Sequence, residues 1–411
     1  MNSVSSIALG VSLALGGLAA AGAPAHAQAG AAAPAVPTLS KAEREALAAL
    51  QTALQQRNYP AAASAAAAAR SAARSGEVRY LAASMELRLA LETNDSAMQA
   101  SAIEAMIESG AAPPAALGEL YKNQGILALG ARRYDRAEAA LTRWVEVQPN
   151  NPEALVGLAE IKDDIRKVPE AVTLLDRAIK LRKAAGQPVP ESWYKRGLKH
   201  AIDAQMPAPS IEFSRGLVAD YPSPENWRDA LLTYRDFAQP DPAARLDLMR
   251  LMRSANALGG ERDYLELAQS FDTGGVPGES KAVLDEGVKA KMVDPAKATY
   301  KELIAASGKR ATAERKTLAS SRTKAMANAT GTLALSAGDM HFSYGEYAAA
   351  AELYRAALAK GSVDASVANT RLGMALALAG QRAEAEAALR AVTGPRTHLA
   401  SYWLLWLAQR G

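Results

Sequence analysis

The chain has 411 residues, 49% hydrophobic and 22% charged, with a formal net charge of +4. That length exceeds one ordinary core and suits two or three domains or one repeat array, and the composition excludes wholesale disorder. Aromatic residues are 5% and cysteine is absent, which excludes disulfides, thiolate metal sites, a thiol nucleophile and a lipid-modified cysteine. The abundance of alanine favours closely packed helices over a large β-sheet.

At the N-terminus, Ile7 to Ala23 is an uncharged run of Ala, Leu, Gly and Val, followed by Ala25-His26-Ala27. A small-x-small triplet after such a run is what signal peptidase cuts, so residues 1–27 read as a signal peptide and Gln28 as the mature N-terminus. The run is too short and too rich in Gly and Ala for a stable span. Residues 28–39, mostly Ala, Pro and Gly, read as a flexible leader. The expected location is therefore the periplasm or the exterior of a bacterial cell.

From Glu43 onward one spacing recurs: a compact residue, a second twelve later, an apolar residue four further on, and another compact or apolar residue three after that. Gly125, Ala137, Leu141 and Trp144 are the clearest set, followed after 34 residues by Ala159, Ala171, Leu175 and Ala178. Gly338, Ala350, Tyr354 and Ala357 repeat it, as do Gly373, Ala385, Leu389 and Val392. Weaker sets are Leu50, Ala62, Ala66 and Ala69; Ser84, Ser96, Ala100 and Ile103; Gly197, Pro209, Phe213 and Gly216; and Ala268, Ser280, Leu284 and Gly287. Each set predicts two antiparallel helices joined by a short turn, with small residues where the axes come closest. One such pair cannot bury its own face, so the pairs must stack.

The stretch from Tyr134-Asp135-Arg136-Ala137 to Pro149-Asn150-Asn151, with its 34-residue period, resembles the tetratricopeptide repeat. The resemblance implies an all-α, right-handed α-solenoid over residues 40–396. Residues 224–260 and 295–330 each have room for one divergent helix pair, which makes about ten pairs in all. Residues 397–411 are expected to form a C-terminal capping helix.

In that family the first helix of each unit lines a concave groove that takes extended peptides or partner helices. Carried over, the groove here presents Met85, Arg88, Lys122, Ile126, Leu129, Glu160, Asp163, Tyr194, Leu198, Asp339 and Phe342. Lys122 matches the first basic place of the family's carboxylate-binding groove, but Ile126 stands where that groove has Asn, so the resemblance does not extend to carboxylate clamping.

Catalytic signatures are absent. After cleavage only His200, His341 and His398 remain, far apart and without a metal-ligand spacing. No GxSxG elbow occurs. Ser307-Gly308-Lys309 lacks the glycine a phosphate loop needs five residues earlier, where Leu303 stands. Gly274 to Gly278 falls at a turn between helices, where turn chemistry explains it. Glu160, Asp163 and Asp164 are followed by Arg166 and Lys167, the pattern of a solvated charged face or of a patch for a basic ligand.

The least balanced segment is 295–330. It carries Lys297, Lys301, Lys309, Arg310, Arg315, Lys316, Arg322 and Lys324 against Glu302 and Glu314, a net of +6, which leaves −2 for the rest of the chain. It is either a solvated outer face or a dock for anionic lipid, acidic polysaccharide or an acidic protein. Base-stacking aromatics are missing, which argues against nucleic acid. In the final helix, Leu399, Trp403 and Trp406 form one buryable face, leaving Tyr402 and Leu405 as candidates for self-association. The expectation is an exported, non-enzymatic scaffold without cofactor or metal that binds a protein or peptide partner. The alternatives are an accessory protein or enzyme of envelope polysaccharide handling, or a tether acting through the basic segment.

Overall fold

A computed structural model of the chain describes residues 39–410. The expected signal peptide and nearly all of the expected leader lie outside the described residues. The described residues form 21 α-helices and one 3-10 turn, with no strand, and the chain divides into two compact units between Pro188 and Val189.

The first unit holds α1 (Lys41–Gln55), α2 (Tyr59–Ala72), α3 (Gly76–Glu92), α4 (Ser96–Glu108), α5 (Pro114–Gly130), α6 (Tyr134–Val147), α7 (Pro152–Asp164) and α8 (Val168–Ala184). Consecutive helices pack as four hairpins, and each second helix packs on the next first helix. Every hairpin reverses through one residue in the left-handed region: Arg57, Asn94, Arg132 and Arg166, with φ of 53° to 64°. Side chains at that conformation cost about 1–2 kcal/mol each, so the turns persist because the packed helices on both sides over-determine them. Joins between hairpins use caps instead. Asn151 Oδ1 accepts from the amides of Glu153 and Ala154 at 2.9 and 3.2 Å, and Pro152 opens α7.

The repeated spacing has a direct physical cause. A Cβ added at Gly125 would lie 2.6 Å from Leu141 Cδ2, so the large residue sixteen positions later lies against the first helix's backbone. The same holds in the second unit for Gly197 against Phe213, Gly338 against Tyr354 and Gly373 against Leu389, at 2.4 to 2.6 Å. One hairpin differs from the sequence expectation in register. In α3 and α4 the buried set is Leu87, Gln99, Ile103 and Met106, each under 8% exposed. Ser96 is the exposed first residue of α4. The set is therefore displaced by three residues from Ser84, Ser96 and Ala100, which puts Leu87 nine residues before the start of α4, as Gly125 is nine before the start of α6.

The second unit holds α9 (Glu191–Asp203), α10 (Pro207–Asp220), α11 (Pro224–Ala238), α12 (Pro242–Ser254), α13 (Glu261–Thr273), α14 (Pro277–Lys289), α15 (Ala298–Arg315), α16 (Leu318–Ala327), α17 (Thr332–Ser343), α18 (Tyr347–Lys360), α19 (Ala365–Leu378), α20 (Arg382–Arg390), the 3-10 turn Gly394–Arg396 and α21 (Thr397–Ala408). Helices α9/α10, α13/α14, α17/α18 and α19/α20 are hairpins like those of the first unit.

Two segments depart from a simple repeat. Residues 295–330 do not make a hairpin. The backbone stays right-handed through Lys316 (φ −67°) and Thr317 (φ −100°), so α15 runs into α16 as one bent rod. Its covered stripe is Tyr300, Ile304, Ser307, Ala311, Glu314, Leu318, Ser321 and Ala325, a 4-3 alternation carried through the bend. Helix α12 is covered right round its axis, with Asp247 to Met252 all buried. It packs on α11, α13 and α21 and is joined by ion pairs to α14, α19 and the 3-10 turn. A face that an open solenoid leaves hollow is thus filled here by the chain itself.

Candidate partner-binding site

In the first unit, the residue following the compact position is Arg88 on α3, Ile126 on α5 and Glu160 on α7, after the half-buried Gln51 on α1. All three are exposed, Ile126 at 39%. Equivalent positions on successive first helices thus present a basic, an apolar and an acidic side chain in that order. Arg88 Nε donates to Glu92 Oε1 on its own helix at 2.9 Å. Lys122 lies 3.2 Å from Glu119 and 5.7 Å above the Trp144 ring, so its charge is engaged within the unit. Leu129 is half-buried against the cluster of Ala128, Leu141 and Trp144. Met85 packs on the cluster around Leu50 and Leu89 and is not a groove residue, a consequence of the shifted register in α3. Asp163 is half-buried. Between the acids of α7, Lys162 Nζ donates to Glu138 at 2.7 Å and to Glu170 at 2.5 Å, and Lys167 also donates to Glu138 at 2.7 Å. Hydrogen bonds from Lys162 and Lys167 hold the Glu138 carboxyl below the usual range.

The second unit uses its equivalent residues internally, which corrects three of the expected groove positions. Tyr194 is 1% exposed, and its hydroxyl donates to Asp220 at 2.5 Å. Phe342 is 3% exposed beneath the Arg250 guanidinium, 4.6 Å from its ring centre. Asp339 accepts from Tyr354 Oη at 2.8 Å and from Arg371 Nη1 at 2.6 Å. Burial pushes its carboxyl up, against the opposing pull of Arg371 and Arg250. Leu198 is half-buried. For Phe342 and Asp339 the cause is α12, which carries Arg250 onto their face, whereas Tyr194 is covered by α10 at Gly216 and Asp220.

Around α12 lies an ion network that the repeat spacing does not reveal. Asp247, fully buried, accepts from Arg250 at 2.7 Å and Arg396 at 2.6 Å, and Arg371 Nε lies 3.4 Å away. Arg250 also forms a two-nitrogen grip on Glu279, the shortest contact 2.6 Å. Burial opposes ionisation of Asp247, yet Arg371, Arg250 and Arg396 together hold its carboxyl below the usual range. Charged residues inside the apolar run Leu248, Met249, Leu251 and Met252 are the one sequence signal of this network.

The eight basic residues of 295–330 are all exposed but not equivalent. Lys297 reaches Glu261 at 2.6 Å, Arg310 pairs with Asp272 and Arg322 with Glu352, while Arg315 lies over the Tyr344 ring at 5.6 Å. Lys301, Lys309, Lys316 and Lys324 have no carboxylate within ion-pair distance among the described residues. At the C-terminus, Tyr402 is no self-association residue. It is wholly buried, its hydroxyl 3.2 Å from that of Ser214 and its ring 5.8 Å from that of Tyr234. Helix α21 packs on α12, α19 and α20 and reaches Ser214 and Trp227, which covers the side expected to be free. Leu405 is half-buried on the same core.

Among the described residues no three His, Asp or Glu side chains come together as a metal site, and no helix is long and apolar enough to cross a membrane. No curated protein matches the chain in sequence. A family model described as tetratricopeptide repeat matches residues 128–184. Among solved structures, the chain is similar to PilW, titled a widely conserved type IV pilus biogenesis factor, at 19% identity over 45% of this chain and 80% of that one, TM-score 0.29. It is also similar to a tetratricopeptide repeat protein from Parabacteroides merdae ATCC 43184, at 10% identity over 82% and 100%, TM-score 0.33. MamA from Desulfovibrio magneticus RS-1 is similar at 12% identity over 45% and 100%, TM-score 0.31. The matched stretch comprises the end of α5, all of α6 and α7, and α8, so residues 128–184 match the tetratricopeptide repeat, and hairpins of the same kind recur on both sides of it.

Proposed function

We propose that the first unit is a non-enzymatic docking scaffold for a protein or peptide partner in the bacterial cell envelope. The observation that carries this reading is the contrast between the units. First-helix residues Arg88, Ile126 and Glu160 are exposed in the first, whereas Tyr194 and Phe342 are buried and Asp339 is half-buried in the second. A partner suited to the row has an apolar side chain for Ile126, an acidic group toward Arg88 and a basic group toward Glu160. An exposed isoleucine flanked by opposite charges is the arrangement in which an apolar contact supplies affinity and the charges set direction. Export rests on the run Ile7 to Ala23 and the Ala25-His26-Ala27 triplet.

The test is affinity capture from envelope extract with the chain from Gln28, beside Ile126→Asp and Glu160→Lys variants. Both positions are exposed, so the variants keep their fold. A partner held by the parent and lost by at least 10-fold in the Ile126→Asp variant supports the reading. Equal capture by all three baits sinks it. Mass measurement of the periplasmic protein checks the cut after Ala27 independently.

A further inference from the structure

The bent rod α15–α16 lies on the second unit by a narrow stripe and leaves most of its circumference in solvent. At about 100° per residue, Lys309 and Lys316 stand opposite that stripe, and Lys301 and Lys324 stand on its two flanks. These are the four lysines of the segment without an acidic partner. Their neighbours on the outer face include the small Ala305, Ala306, Thr312, Ala313 and Ala319, which leave the lysines accessible to a flat surface, and one acid, the exposed Glu302.

A second observation distinguishes between possible anionic surfaces. Six large hydrophobic side chains are exposed among the described residues, and Met292, Met326 and Leu333 are three of them, at 45%, 50% and 46%. Met292 precedes α15, Met326 stands about 90° round α16 from the covered stripe, on the flank away from Lys324, and Leu333 follows in α17. A soluble polyanion needs only the lysines. A bilayer uses both, with lysines at the headgroups and the apolar side chains in the interfacial layer. Beside α16 a cleft of about 910 Å³ is lined by Arg315, Arg322, Leu318, Met326, His341 and Glu346. His341 is 5% exposed, its Nδ1 lies 2.7 Å from Glu346 Oε2, and its Nε2 has no hydrogen-bond partner.

We propose that the outer face of α15 and α16 docks the second unit onto an anionic phospholipid bilayer, with a headgroup phosphate entering the cleft between Arg315 and Arg322. This surface is separate from the row on the first unit, and each can fail without the other.

The experiment is flotation of the chain from Gln28, which omits the apolar run 7–23, with vesicles of phosphatidylcholine alone or mixed with phosphatidylglycerol. Binding is expected only to the mixed vesicles and is lost at high salt. Replacing Lys301, Lys309, Lys316 and Lys324 together by Gln is expected to weaken it several hundredfold, roughly fivefold per charge. Met326→Ser with Leu333→Ser is expected to weaken it several-fold without altering salt dependence. Helical circular dichroism checks that both variants stay folded. Failure of the parent to float with mixed vesicles overturns the proposal, as does undiminished binding by the Gln variant. Equal affinity for soluble dextran sulfate, with no loss in the Met326→Ser, Leu333→Ser variant, also overturns it in favour of a general polyanion site.

Discussion

Arg396 Nη1 donates to Asp247 Oδ2 at 2.6 Å, a buried ion pair between residues 149 positions apart in the chain. It ties the turn before the last helix to the middle of α12. Removing Arg396 takes one charged hydrogen bond from the buried Asp247, which keeps Arg250 and Arg371 as counter-charges. Arg396→Ala is therefore expected to lower the unfolding free energy of the second unit by about 1.5–3 kcal/mol. Urea unfolding followed by tryptophan emission reads this selectively, since Trp193, Trp227, Trp403 and Trp406 belong to the second unit and only Trp144 to the first. An unchanged midpoint would remove the network from the account of stability.

The same network sets a pH profile with two opposing limbs. Asp247 is held below its ordinary value by three guanidiniums against the cost of burial. Its contribution is full above about pH 4 and is lost as pH falls through the depressed folded value. Asp339 is raised by burial. The unfolded chain releases that proton first, so stability declines as pH rises from about 4 to the raised value. Asp339→Asn is expected to abolish this decline and to keep the acid-side loss. The check is the urea midpoint of both proteins across pH 3 to 8, and parallel profiles would contradict it.

Glycine substitutions separate close packing from open space. A Cβ at Gly331 would stand 2.2 Å from the Ala357 carbonyl oxygen and 2.5 Å from that of Gly361, both backbone atoms that cannot rotate away. Gly331→Ala is expected to destabilise the second unit by about 1–3 kcal/mol. A Cβ at Gly308, inside α15, would meet nothing within 4 Å. Gly308→Ala is expected to stabilise by up to about 1 kcal/mol through helix propensity alone. Thermal unfolding of the two variants should move in opposite directions.

Tyr402 tests the placement of α21. Tyr402→Ala empties a site enclosed by Trp227, Tyr234 and Ser214 and is expected to cost about 3–5 kcal/mol. Tyr402→Phe removes only the hydroxyl contact and is expected to cost about 1 kcal/mol. Sedimentation of the folded Tyr402→Phe variant should match the parent. A changed mass would return this residue to an intermolecular role.

The hairpins are legible in the sequence because their spacing is a local constraint. Gly125 and Leu141 are sixteen residues apart and meet wherever two helices and a short turn lie between them. The α3–α4 hairpin lies three residues from its expected register, because serine is compact enough to pass for the small position while Leu87 occupies it. The row Arg88, Ile126 and Glu160 is also legible as first-helix surface. Whether that surface stays open is not, since Phe342 and Asp339 look as available in the sequence as Ile126 and Glu160.

The sequence by itself determined that the chain is helical, where most helices pair, and that residues 295–330 concentrate positive charge. Each follows from interactions within a few dozen residues. Only the tertiary structure decided that α12 is enclosed on all sides, that Asp247 meets Arg371 and Arg396, and that Tyr402 is interior. Those contacts join residues more than a hundred positions apart. An apolar or charged side chain records that it needs a partner, but hydrophobic burial has no direction, and so the sequence does not record which distant helix supplies one.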